Sequence, residues 1–145
     1  MMLPAIPGVV LCLGAAVPVI VAAVVDVQTR RIPNELVALA LISGLIVGLR
    51  EGDVAGAMLG AIVVGLVAVL PWLVAPSAFG AGDVKLLVAS GMIARIGQLP
   101  VLLFATTWLG ALLAIALILA HRRRGITMPY GPAIAGGLLV TIIFE

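Results

Sequence analysis

Apolar stretches of nearly membrane-spanning length, separated by short polar segments, follow one another along the whole chain. A helix that crosses a bilayer needs about 20 predominantly apolar residues. Six stretches approach or reach that length, and they cover residues 3–25, 34–50, 54–75, 80–95, 97–120 and 127–144. The pattern therefore predicts an all-α polytopic integral membrane protein with about six transmembrane helices.

The fourth stretch is the least regular of the six. Only residues 84–94 separate Asp83 from Arg95, and Lys85 interrupts them. A segment this short cannot span the bilayer as a uniformly apolar rod. Either its polar start dips into the membrane inside a protein-lined or water-filled cavity, or the bilayer thins around a short helix.

The composition excludes a soluble globular protein. Hydrophobic residues make up 64% and charged residues 10% of the 145 residues, whereas soluble domains carry about 25% charged residues. We expect a single transmembrane domain over residues 1–145. The net charge of +2 reflects arginines in loops, and no basic face with interleaved aromatic residues indicates nucleic-acid binding. The single cysteine, Cys12, and the single histidine, His121, form no metal-binding cluster, so we expect no metal and no cofactor.

The basic residues between the stretches are unevenly distributed. With six spans, the first, third and fifth loops share one side of the membrane. They contain Arg30, Arg31, Lys85, Arg122, Arg123 and Arg124, whereas the second and fourth loops contain Arg50 and Arg95. The positive-inside rule then places the first, third and fifth loops in the cytoplasm and both termini outside. Asp26 and Asp83 fall on the same cytoplasmic side, at one membrane depth.

Two aspartates stand at the borders of apolar stretches. Asp26 follows a run of 25 residues without a charge, and Asp83 lies at the start of the fourth stretch. A carboxylate costs about 2.5–3.5 kcal/mol at the centre of a membrane helix and less toward the interface. A structural role is open to each, as an ion pair of Asp26 with Arg30 or as a charge at a helix start for Asp83. Two carboxylates in unlike environments are also what acid–base hydrolysis needs.

Four further features accompany these aspartates, three of them close to one aspartate in the sequence and one before the last helix. Gly80 and Gly82 remove side chains beside Asp83, so that a substrate backbone could approach it. Lys85 is predicted to be an interfacial charge, and Asn34, after Pro33, is predicted to be the N-cap of the second helix. A rigid non-helical segment precedes the last helix and consists of Pro129, Tyr130, Gly131 and Pro132. It forms either a turn or one wall of a site.

Three segments together resemble the type IV prepilin peptidases. Asp26–Asn34 resembles the first aspartate motif of that family, Gly80–Leu86 its G-x-G-D-[VI]-K-[LM] motif, and Pro129–Pro132 its Pro-aromatic-x-Pro element. The resemblance implies an aspartic protease that cuts the leader from prepilins on the cytoplasmic side of the inner membrane. Asp26 and Asp83 would then be catalytic. The substrate would contact a larger set, namely Gly80, Gly82, Lys85, Pro129, Tyr130, Gly131 and Pro132.

The resemblance also implies a small form of the enzyme. Larger members resemble bifunctional enzymes, with an N-terminal extension that carries paired cysteines and methylates the new pilin N-terminus. Here the first apolar stretch starts almost at Met1 and no CxxC is present. We therefore expect the peptidase-only form, without a methyltransferase extension, similar to the enzymes that serve Flp-type pili or that process archaeal class III signal peptides. Its partners would be a single-span prepilin with a short basic leader and membrane lipid.

Two other function classes remain open at this point. Two intramembrane carboxylates could serve a small transporter or proton-coupled channel, which would show ion-dependent flux without a peptide substrate. A non-catalytic membrane subunit of a secretion system would tolerate Asp→Asn at both positions. For a peptidase, two carboxylates a few Å apart would share one proton, the ionised one activating water and the protonated one polarising the scissile carbonyl.

Overall fold

The computed structural model describes residues 8–77, 79–121 and 128–145. These residues form six α-helices and no strand. The helices are α1 (Gly8–Thr29), α2 (Asn34–Glu51), α3 (Val54–Val74), α4 (Ala81–Ala94), α5 (Leu99–His121) and α6 (Gly131–Ile143), with a 3-10 turn at Ile96–Gln98 before α5. The predicted all-α fold is confirmed, and one helix falls in each of the six apolar stretches. The three arginines of the fifth loop, Arg122, Arg123 and Arg124, lie outside the described residues.

The helices differ in their capacity to cross a membrane. Three helical segments of the described chain are long and apolar enough to do so, namely Gly8–Thr29, Val54–Val74 and Ile96–Ala120. In contrast, α4 has 14 residues and α6 has 13, which gives lengths of about 20 Å at 1.5 Å per residue. Because a hydrocarbon core is about 30 Å thick, neither short helix spans it alone in an upright position.

Local backbone chemistry sets the starts of the helices near the polar segments. Pro33, at φ −63° and ψ 134°, is the N-cap of α2, and no side chain caps that end. The prediction that Asn34 is the N-cap is therefore wrong: the extended ψ of Pro33 places the cap at that residue, and Asn34 is already the first helical residue. At the start of α6, proline stands within the first turn, where its missing N–H costs no helical hydrogen bond.

The helix α4 is the centre of the bundle. It packs against α2 and α3 on two sides and against α6 on a third, while α6 packs between α1 and α5. Small residues permit this, since a Cβ on Gly60 of α3 would lie 2.3 Å from the carbonyl oxygen of Gly91 in α4. Helices surrounded by lipid gain no hydrophobic driving force when they associate. Their association rests instead on close van der Waals packing of this kind. The packing brings the last turn of α1 together with the first turns of α4 and α6.

Candidate active site

A cavity of about 320 Å³ lies where α1 ends and α4 begins. Its lining residues come from the α1–α2 connection and from the glycine-rich start of α4: Asp26, Arg30, Arg31, Ile32, Asn34, Gly80, Gly82, Asp83 and Lys85. The structure thus brings together the two aspartates that the sequence singled out, 57 residues apart in the chain.

Asp26 lies inside α1 rather than after its end. The helix continues to Thr29, and it stops where Arg30 takes φ 53°, in the left-handed region. The Asp26 side chain is 5% exposed, and its Oδ2 accepts a hydrogen bond of 2.9 Å from the backbone N–H of Gly131. The first turn of α6 therefore holds this carboxylate, and the positive end of the α6 dipole faces it.

Asp83 is the third residue of α4 and is held by its own helix start. Its side chain is 9% exposed, and Oδ2 accepts a hydrogen bond of 3.0 Å from the backbone N–H of Gly80. A carboxylate at this position satisfies an N–H that the helix leaves unpaired and interacts favourably with the helix dipole. Each aspartate thus has one oxygen bound by a backbone N–H at the start of a short helix.

Three basic residues share the cavity with the carboxylates. Arg30, Arg31 and Lys85 all line it, and the Nζ of Lys85 donates to Oδ1 of Asn34 over 3.1 Å. That hydrogen bond joins the second turn of α4 to the first residue of α2 in the wall of the cavity. Lys85 therefore links α4 to α2 beside the carboxylates, and it also places a positive charge near them.

The glycines around the cavity differ in how much room their neighbours leave. A Cβ on Gly131 would lie 2.9 Å from Oδ2 of Asp26 and 3.1 Å from the Cα of Ala23. On Gly82 it would lie 3.2 Å from the Cβ of Ile32, whereas on Gly80 its nearest neighbour, Oδ2 of Asp83, would be 3.4 Å away. A side chain is therefore excluded at Gly131, crowded at Gly82 and accommodated at Gly80.

Tyr130 does not line the carboxylate cavity, although the motif around it reaches that site through Gly131. Its ring packs edge to face on Phe79, with 5.2 Å between the ring centroids, and its hydroxyl donates to the carbonyl of Thr106 in α5 over 3.4 Å. A Cβ on Gly110 would lie 2.5 Å from this ring. The predicted contact of Pro129, Tyr130 and Pro132 with substrate stays a prediction.

Sequence reasoning missed two features of this site. The backbone N–H of Gly131 carries no signal in the side-chain pattern, and only the packing of α6 on α1 shows that it binds Asp26. Phe79 directly precedes the glycine-rich segment in a chain with only 4% aromatic residues. That rarity could have marked it, but it does not reveal the partner ring of Tyr130.

The site lies part of the way down the long helix α5. Tyr130, at the start of α6, packs against Gly110, and α5 continues from there to His121. Those eleven residues amount to about 16 Å of helix. The carboxylates are therefore recessed below the end of α5.

Comparison with known proteins identifies a family. The sequence profile of the type IV leader peptidase family matches residues 12–115, which is more than half of the chain and includes both aspartates. No curated protein and no solved structure gives a significant match. Within the described residues, no group of three or more His, Cys, Asp or Glu side chains could hold a metal ion.

Proposed function

Because the chain belongs to the type IV leader peptidase family, we propose that it is an aspartic endopeptidase that cuts the leader from Flp-like prepilins. The family match supports a protease of the type IV leader peptidase kind. The observation that carries the aspartic mechanism is the shared cavity of Asp26 and Asp83. Both carboxylates are buried, and each is held by a backbone N–H at the start of a short helix.

The proposed chemistry follows from two carboxylates that share one proton. The ionised carboxylate takes a proton from water, and the water oxygen attacks the scissile carbonyl carbon. The protonated carboxylate gives its proton to the carbonyl oxygen, which forms a tetrahedral diol without a covalent enzyme intermediate. Collapse of the diol breaks the C–N bond: the carboxyl that took the proton from water gives it to the leaving amine, and the other carboxylate takes the proton of one diol hydroxyl. The pair is then again singly protonated. The backbone N–H groups bind Oδ2 of each aspartate, so we assign the proton transfers to the Oδ1 atoms.

The proposed substrate is a single-span precursor whose cleavage site lies at the cytoplasmic border of the inner membrane. The excess of basic residues in the first, third and fifth loops supports that orientation. Arg30, Arg31 and Lys85 line the cavity, so a basic leader residue placed directly at the scissile bond would be repelled. We therefore expect the basic residues of the leader to lie away from the bond that is cut, near the anionic lipid head groups.

Co-expression with candidate prepilins tests this function. The wild-type protein should shorten a true substrate, which a gel shift detects, and Asp83→Asn should leave the precursor intact. A suitable control is Asp53→Asn, because Asp53 caps α3 at the other end of the bundle and asparagine caps a helix as well as aspartate does. If Asp83→Asn shortens the precursor as wild type does, the proposed mechanism is wrong. An uncut precursor together with ion flux through wild-type protein would favour the transporter instead.

A further inference from the structure

A second cavity of about 320 Å³ opens between α3 and α5. It is mostly apolar, and its walls include Val67, Pro71, Phe79, Leu103, Thr107 and Tyr130. Although α3 and α5 flank this cavity, they make little contact with each other over their length. The gap between them is therefore a groove that the bundle itself does not fill, and we refer to it as the α3–α5 groove.

The surface around the α3–α5 groove faces outward and is apolar. Leu66 and Leu70 of α3 are 69% and 63% exposed, and Phe104 and Trp108 of α5 are 67% and 55% exposed. In a membrane protein such side chains contact lipid tails, since no water reaches them there. A segment that already lies in the bilayer can therefore reach the groove from the side without crossing water.

The groove adjoins the carboxylate cavity, because two residues of its wall are sequence neighbours of the glycines that bind the aspartates. Phe79 and Tyr130 form part of its wall. The residue after Phe79 is Gly80, whose N–H binds Asp83, and the residue after Tyr130 is Gly131, whose N–H binds Asp26. Leu87, which also lines the groove, is one helical turn beyond Asp83 in α4. The groove and the carboxylates thus lie at one level of the bundle.

A second apolar groove provides a contrast. It measures about 230 Å³ and lies between α1 and α2, with Gly14 and Ile46 in its walls. Gly14 is twelve residues before Asp26 in α1, which is about 18 Å along the helix. This α1–α2 groove is apolar and faces outward too, but it lies far from the carboxylates. Apolar character alone therefore does not distinguish the two grooves, whereas position relative to the site does.

We propose that the α3–α5 groove receives the apolar helix of the membrane-embedded substrate. Large side chains of the docked helix fill the cavity while the rest of that helix stays in lipid, as when an amphipathic helix binds a hydrophobic groove. The chain of the substrate then passes the Phe79–Tyr130 pair to reach Asp26 and Asp83. This inference rests on the proposed function and identifies the face by which the substrate arrives.

Photo-crosslinking to the precursor tests the proposal. Val67→Cys and Ile46→Cys are made in a Cys12→Ser background and labelled with a thiol-reactive benzophenone. Both positions are about equally exposed, at 43% and 45%, so the two probes are matched. After illumination in liposomes with a single-span precursor, we expect at least five times more crosslinked precursor at Val67 than at Ile46. Equal yields, or lipid adducts alone at Val67, would overturn the docking site.

A kinetic measurement separates docking from chemistry. Thr107→Trp should fill the α3–α5 groove and raise the KM for the membrane-embedded precursor about tenfold, with little change in kcat. A short soluble peptide that contains the cleavage site without the apolar helix should be cut by this variant as by wild type. Ile46→Trp should leave both substrates unaffected. An equal loss on both substrates for Thr107→Trp would contradict docking in this groove.

The two proposals fail in different ways. If the unlabelled wild-type protein cuts no precursor, the proposed function falls and the docking site falls with it. If wild type cuts the precursor but the crosslinks and KM values show no preference for the α3–α5 groove, only the docking site is wrong.

Discussion

At the scale of single residues, the contact between Gly131 and Asp26 connects a motif near the end of the chain to a carboxylate near its beginning. The N–H of Gly131 binds Oδ2 of Asp26, and a Cβ at this glycine would lie 2.9 Å from that same oxygen. A carboxylate that acts on water must be held within a fraction of an ångström. The glycine is therefore needed at this position for packing, apart from any contact with substrate.

Gly131→Ala is predicted to impair cleavage by displacing the Asp26 carboxylate. A misplacement of about 1 Å can cost on the order of 100-fold in rate, so we expect a loss of that size in kcat with little change in KM. The measurement is steady-state cleavage of a prepilin by purified protein in liposomes. Gly14→Ala is the control, because a Cβ at this position of α1 would meet nothing within 4 Å. Equal activity of the two variants would argue against the role of Gly131.

Gly82 and Lys85 are predicted to support the site to different degrees. Gly82→Val should reduce cleavage, because a side chain there is pressed against Ile32. Lys85→Ala should be milder, within about tenfold of wild type, because it removes one exposed hydrogen bond to Asn34. Both are measured as kcat/KM beside a folding check. A Lys85→Ala variant as inactive as Asp83→Asn, yet folded, would contradict this ranking.

At the scale of helices, the apolar pattern located each of the six α-helices of the described chain, but the polar residues did not mark where the helices begin and end. The first helix was expected to end at residue 25, yet α1 continues to Thr29. Polarity marks where a chain leaves lipid, whereas a helix ends where its backbone leaves helical geometry, here at Arg30. The same distinction explains Asn34, whose side chain binds Lys85 instead of capping α2.

The candidate site could be predicted only in part for a similar reason. Asp26 and Asp83 stand out because charges are rare in this chain and costly in lipid. The hydrogen-bond donor to each carboxylate is a backbone N–H. Because every residue except proline has such a group, the pattern of side chains does not indicate which one binds the aspartate. Likewise, nothing in the sequence places Tyr130 against Phe79 rather than in the carboxylate cavity.

The loop topology gives a prediction at this scale. In a Cys12→Ser background, Gln28→Cys near the end of α1 should resist an impermeant thiol reagent in intact cells, and Glu51→Cys at the end of α2 should react. Both positions are exposed. Glu51 serves better than Gly52, whose φ of 73° disfavours a side chain. The opposite labelling pattern would place the carboxylate cavity on the outer side of the membrane.

At the scale of the whole molecule, the two short helices α4 and α6 bind the two carboxylates by backbone N–H groups at their starts. The carboxylates therefore lie below the end of α5. This arrangement predicts a bell-shaped dependence of cleavage rate on pH. Protonating both aspartates at low pH removes the base, and ionising both at high pH removes the acid. The rate should also survive exhaustive chelation. A rate that rises monotonically with pH, or chelation loss restored by zinc, would contradict the two-carboxylate mechanism.

The central claim is that Asp26 and Asp83 act together, and one measurement tests it most directly. It compares kcat/KM for prepilin cleavage by purified wild type, Asp26→Asn, Asp83→Asn and the control Asp53→Asn, each reconstituted in liposomes and checked for folding. The account predicts a loss of at least about 1,000-fold for each of the first two variants and activity within about twofold of wild type for Asp53→Asn. Substantial cleavage by either Asp26→Asn or Asp83→Asn would contradict it.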